Sequence, residues 1–164
     1  MRHFKVQVDK GHNGFTGLVA KTDPNKENKV LALYGGLDSN GKPTNPIALL
    51  REKRVTPTEP LESNMPTIIV DDLDRYPNGT VMNISDRNFG SILFNPLSND
   101  NSLFCTNNCD NECIMCSQPP KAEDDYAYFH SRNMKVVNLI NSECEVLGIT
   151  GGEPLFNPLL FKEL

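Results

Sequence analysis

Four of the five cysteines fall within twelve residues, at Cys105, Cys109, Cys113 and Cys116, and the fifth is Cys144. The run Cys109-Asp110-Asn111-Glu112-Cys113-Ile114-Met115-Cys116 sets three thiols in a loop short enough for their sulfurs to converge on one centre. In a chain with no export signal, such crowding points to metal before disulfides. Two kinds of centre suit the donors. A structural zinc needs a fourth ligand, which Cys105 would supply through Cys105-x3-Cys109. A [4Fe-4S] cluster normally takes four thiolates, so three would leave one iron open. The second motif is Gly151-Gly152-Glu153-Pro154, 35 positions after Cys116. Glycines allow a ligand close to the backbone, and a carboxylate suits a cationic amine. Taken alone, this motif also reads as a plain turn before a helix with proline in its first turn.

Both motifs need elements that position them. Ser102-Leu103-Phe104-Cys105-Thr106 is a short apolar strand leading into the cysteines. From Glu123 to Ile140, Tyr126, Phe129, Val136, Val137 and Ile140 recur at helical spacing behind an acidic first turn, which suits the positive end of the helix dipole. Glu145 to Thr150 is the next strand and runs into Gly151. Strand, long helix and strand make a βαβ unit with parallel pairing and a right-handed crossover. Adjacent strands lie ~4.8 Å apart, so the loops after them reach the same small cofactor. Pro158-Leu159-Leu160-Phe161 reads as the start of a further helix. One βαβ unit cannot bury both faces of its strands, so the expectation is a truncated segment or one completed by a partner.

Together, Cys-x3-Cys-x2-Cys with apolar Met115 before the last thiol, and Gly-Gly-Glu-Pro after the neighbouring strand, resemble the radical S-adenosylmethionine (SAM) superfamily. The stretch Ser98 to Cys109, with Cys116-Ser117-Gln118-Pro119-Pro120, is similar to the cluster region of the His-Xaa-Ser system radical SAM maturases. The resemblance covers residues 102 to 164. It implies that Cys109, Cys113 and Cys116 ligate three irons of a [4Fe-4S] cluster while SAM chelates the fourth. It also implies that Gly151, Gly152, Glu153 and Pro154 line the methionine end of SAM, with Glu153 receiving its ammonium and the backbone near Met115 along the adenine. The implied activity is reductive cleavage of SAM to a 5′-deoxyadenosyl radical, for maturing a ribosomally made peptide. The implied partners are a His-Xaa-Ser type peptide and a reductant such as flavodoxin or ferredoxin. Asp110 departs from the family's frequent Asn and would add a negative charge beside the cluster. The fold class expected is α/β: a β-rich domain over residues 1–95, then over 96–164 the start of a partial (β/α) radical SAM barrel.

The remaining sequence is plainer. Val30–Tyr34, Thr67–Val70, Thr80–Ile84 and Ser91–Phe94 read as strands, as does the opening alternation with Phe4, Val6 and Val8 on one face. Turn formers separate them at 11–14, 23–25, 38–41 and 77–79, and Pro57 to Pro66 reads as a surface loop. With 164 residues, 38% apolar content, eight Phe, four Tyr and no Trp, the core is modest and a complete barrel of about 250 residues does not fit. The net charge is −5. Twelve basic residues balance twelve acidic ones up to position 100, and four stand against nine beyond it, so the excess sits with the motifs. No basic stripe is available for a phosphate backbone, which argues against nucleic acid. No run approaches the ~18 apolar residues of a membrane span, and the start lacks an apolar export segment, so the expected location is cytoplasmic. His3, His12 and His130 read as solvent or turn residues, Cys105 and Cys144 as bystanders, and Asp71-Asp72-Leu73-Asp74 as a solvated face.

Overall fold

The computed structural model describes residues 3–9, 11–21, 30–53, 65–117, 121–122, 124–140 and 144–163. Sequence readings on 23–25, on most of the 57–66 loop, on 118–120 and on Glu123 lie outside the described residues.

Eight strands form one mixed sheet: β1 (His3–Lys5), β2 (Gln7–Val8), β3 (Phe15–Lys21), β4 (Val30–Leu37), β5 (Pro43–Glu52), β6 (Thr67–Val70), β7 (Val81–Ile84) and β8 (Phe89–Phe94). Their order is β1-β8-β7-β3-β4-β5-β6-β2, antiparallel except for β5 with β6. β1 and β2 stand at opposite ends of that order, yet only Val6 separates them in the chain. The sheet therefore curls until its two edges meet at the opening segment. Val6 donates its N–H to Asn88 O at 3.0 Å on one side of the seam, and Asp9 donates to Thr67 O at 3.2 Å on the other. Closure of this kind removes the unpaired edges that a flat sheet would expose.

Period-two alternation decides what lies inside the curl. Val19, Leu31, Leu33, Ala48, Leu50, Ile68, Met82 and Ile84 point inward with Val6 and Tyr76 and form the main core. Their neighbours Leu18, Val81 and Leu93, with Phe94, face outward on one wall and are also buried. The cover is the helix α1 (Tyr126–Leu139), which brings Val136 and Leu139 against that wall together with Leu103.

Leu103 belongs to β9 (Ser102–Phe104), which pairs in parallel with β10 (Gly148–Thr150) as a separate two-stranded sheet. A turn at 95–101 launches it, locked by Asn101, whose Oδ1 accepts from Asn95 N at 2.9 Å and whose Nδ2 donates to Asn95 O at 2.9 Å and Ser98 O at 2.8 Å. Strand, helix and parallel strand thus occur as the spacing predicts. The expected α/β class does not: the described residues are mostly β, with an eight-stranded curled mixed sheet and one long helix, and they are not the start of a partial (β/α) barrel. The reason is the helix's partner, since α1 buries its apolar side against the outer wall of the β-rich sheet and not in a ring of parallel strands. The acidic first turn also fails, because Asp124 and Asp125 precede the helix. Among the described residues no helix is long and apolar enough to cross a membrane.

Candidate cofactor site

The parallel pairing of β9 with β10 continues past both strands and ties the two motifs together. Cys105 N donates to Thr150 O, Gly152 N to Thr106 O and Glu153 N to Asn108 O, each at 2.8 Å. The glycine-glutamate motif thus runs beside the segment that enters Cys109. Gly151 has φ +136°, a conformation that favours glycine, and a Cβ there would lie 2.6 Å from Thr106 O. A Cβ on Gly152 would overlap Asn108 O. Both glycines are therefore required by the approach of the neighbouring backbone, a reason the motif alone does not reveal.

Glu153 is half-buried and precedes a 3-10 turn, Pro154–Phe156, with proline in the first turn. Its Oε1 accepts from Leu155 N at 2.9 Å, so the carboxylate caps that turn. Its own carbonyl accepts from the Tyr126 hydroxyl at 2.9 Å, which fastens the motif to the start of α1.

Past Asn108 the cysteine loop has no regular structure. Cys109 is half-buried, and its Sγ accepts from Asn111 N at 3.4 Å. Cys113 and Cys116 are exposed and sit at the two ends of a turn closed by Cys116 N donating to Cys113 O at 2.9 Å. Such a turn holds its end Cα atoms within ~7 Å, which keeps two thiols within reach of one centre. Ile114 and Met115, at the corner, are 102% and 90% exposed, so Met115 has no packing role here. None of the five cysteines is in a disulfide, and among the described residues no three His, Cys, Asp or Glu side chains are gathered as a metal-ion ligand group. The donor types and the turn suit an iron-sulfur cluster, whereas the closed ligand set is not formed in the described side chains.

Cys105 is not placed to complete a zinc site. It is buried, its Sγ lies 3.8 Å from both Leu103 O and Asn133 Nδ2 under α1, and burial pushes its thiol up despite the nearby Arg132 guanidinium. Cys144 packs at the margin of the second core.

A carboxylate that the sequence reading passes over organises the root of the loop. Asp125 occupies the position before α1 but makes no capping hydrogen bond to its own helix. It accepts instead from Thr106 Oγ1 at 2.6 Å, from Asn107 N at 3.0 Å and from Asn107 Nδ2 at 2.7 Å. Burial raises its pKa, but these hydrogen bonds outweigh that and hold it below the ordinary carboxylate value. A cap made by such a residue is worth about 0.5–2 kcal/mol, so the helix forgoes a contribution that goes to the loop. An aspartate ahead of a helical pattern signals a cap in sequence, and nothing there points it toward the loop after β9, 18 residues upstream.

Ser102, Phe104 and Thr150 line an open groove of about 820 Å³ together with Phe4, Tyr76 and Ile92, and the Phe104 ring also packs on Phe129 of α1 with centroids 4.9 Å apart. It borders Thr150, the residue before Gly151. Comparisons with protein-family models, curated proteins and solved structures return no match to this chain.

Proposed function

We propose that this chain supplies the cofactor-binding end of a radical SAM enzyme, with Cys109, Cys113 and Cys116 as ligands of a [4Fe-4S] cluster and Gly151 to Pro154 beside the methionine end of SAM. The observation that carries the reading is the backbone ladder that joins Thr106 and Asn108 to Gly152 and Glu153, because it sets the thiol loop and the carboxylate loop side by side. The proposal rests on this site and not on a barrel. When bound, a cluster held by Cys109, Cys113 and Cys116 would supply the electron for reductive cleavage of SAM to methionine and a hydrogen-abstracting 5′-deoxyadenosyl radical.

The chain's own residues hold and orient. The turn from Cys113 to Cys116 presents two thiols, and Cys109 the third from the end of the ladder. Glu153 keeps acceptor capacity beyond its cap, since a carboxylate offers about four lone-pair sites, and a SAM ammonium is the donor that suits it. The groove bordering Thr150 is of a size that holds small ligands or a peptide segment, and a peptide substrate is part of the proposal. A flavodoxin- or ferredoxin-like reductant would deliver electrons at the exposed cysteine loop.

A second reading has its own support: Glu153 and both glycines are already accounted for by a cap and by close backbone approach, as in a non-catalytic iron-sulfur or zinc module. Anaerobic reconstitution separates the two. The enzyme reading expects a brown protein with about four irons whose spectrum changes on adding SAM. One zinc and no colour, or a cluster indifferent to SAM, decides for the module. Cys113→Ala is expected to lose most of the iron, and full retention would remove Cys113 from the ligand set.

A further inference from the structure

We propose that Asp125 is the positioning residue of the cysteine loop, fixing the point from which all three thiols are presented. This rests on the reading of Cys109, Cys113 and Cys116 as metal ligands. An aspartate just before a helix ordinarily turns back onto the first-turn amides. Asp125 does not, and its carboxylate is spent on Thr106 and Asn107 in another element. Thr106 is fully buried, and its hydroxyl both donates to Asp125 and accepts from Asn108 N at 2.8 Å, so the clamp reaches the residue next to Cys109.

The same two residues receive the loop on its return. Lys121 N donates to Asn107 O at 3.3 Å, and Asn108 and Lys121 form an isolated parallel bridge. The loop thus leaves from Asn108 and comes back to Asn107 and Asn108, with Asp125 holding Asn107 by backbone and side chain. Within the loop, Asn111 N donates to Cys109 Sγ and Cys116 N to Cys113 O. An amide at position 125 has the same shape but places an N–H2 group against the Asn107 donors, so at least one of these bonds must break.

The test compares the full chain with Asp125→Asn. In the metal-free protein, exchange of the Asn107 and Lys121 amides is expected to rise about tenfold or more, while the Leu33 and Leu50 amides in the main core keep their protection. After anaerobic loading with iron and sulfide, a chelator is expected to strip iron from the variant about tenfold faster than from wild type. A role in overall stability alone would raise exchange at Leu33 and Leu50 together with the loop, and that result overturns the proposal. So does wild-type exchange at Asn107, or wild-type iron release despite faster local exchange. Should Asp125→Asn fail to fold, Asn107→Ala deletes the carboxamide and with it the Nδ2 bond to Asp125 while keeping the backbone one; faster iron release supports the clamp and an unchanged rate overturns it. If wild type takes up no iron, the ligand reading falls by itself, and amide exchange still decides whether Asp125 holds the loop.

Discussion

At Glu153 one carboxylate oxygen is engaged by the Leu155 amide while the same group is proposed to receive a cationic amine. The two roles separate by substitution. Glu153→Gln keeps a carbonyl oxygen for the cap and removes the charge, so its denaturation midpoint is expected to match wild type. Its SAM affinity is expected to fall about ten- to a hundredfold, the worth of a hydrogen bond to a charged group. Titration of the reconstituted protein with SAM checks this, and equal affinities would strip Glu153 of the binding role. At Cys105 the expectation is opposite, because a thiol buried under α1 is packing: Cys105→Ala keeps its iron and loses stability only.

The decisive element is the two-stranded parallel sheet and its continuation to Asn108 and Glu153. Two strands alone are marginal, and this pair is held by Leu103 in the second core and by Tyr126 and Asp125 at the entrance to α1. Its tightest approach is at Gly152. Gly152→Ala forces a methyl against Asn108 O and is expected to cost about 2 kcal/mol or more. The loss should be seen both as a lower urea midpoint and as faster exchange of the Glu153 amide. A variant with wild-type values on both would show that the strands tolerate separation. The depressed Asp125 pKa adds a pH signature to the same element. A carboxyl lowered on folding contributes stability above its unfolded pKa near ~3.9 that is lost as pH falls through the folded value. Loop protection should therefore fall in acid for wild type and stay flat in Asp125→Asn.

Across the whole molecule, the curled sheet is one body because its first segment serves both edges, and the helix joins it because an outward-facing apolar wall needs cover. Tyr76 closes the main core, its ring 5.6 Å from that of Phe4. Burial pushes its phenol up to about 12. For an acid whose folded pKa is raised, the contribution is complete below the unfolded pKa of about 10 and is lost as pH climbs through the folded value. Between these two pH values wild type is expected to lose stability more steeply than Tyr76→Phe. Parallel slopes in alkaline urea titrations would show that the phenol ionises as freely in the fold as out of it.

The cysteine spacing, the Gly-Gly-Glu-Pro motif and the strand-helix-strand order around them are legible in the chain because each depends on neighbours a few residues apart. Thr67–Val70 is read to the residue for the same reason, an unbroken β-branched run that starts after Pro66 and stops at Asp71. β3 and β5 are not, since Gly17 interrupts the first and Pro43 and Pro46 the second, and long-range ladders override these local preferences. Tertiary structure alone decided that the curl closes through Val6, that α1 covers a β-rich wall and not a parallel barrel, and that Asp125 serves the cysteine loop before its own helix. Each is a choice between partners far apart in sequence, settled by which apolar face remained to be buried and which donors remained to be satisfied.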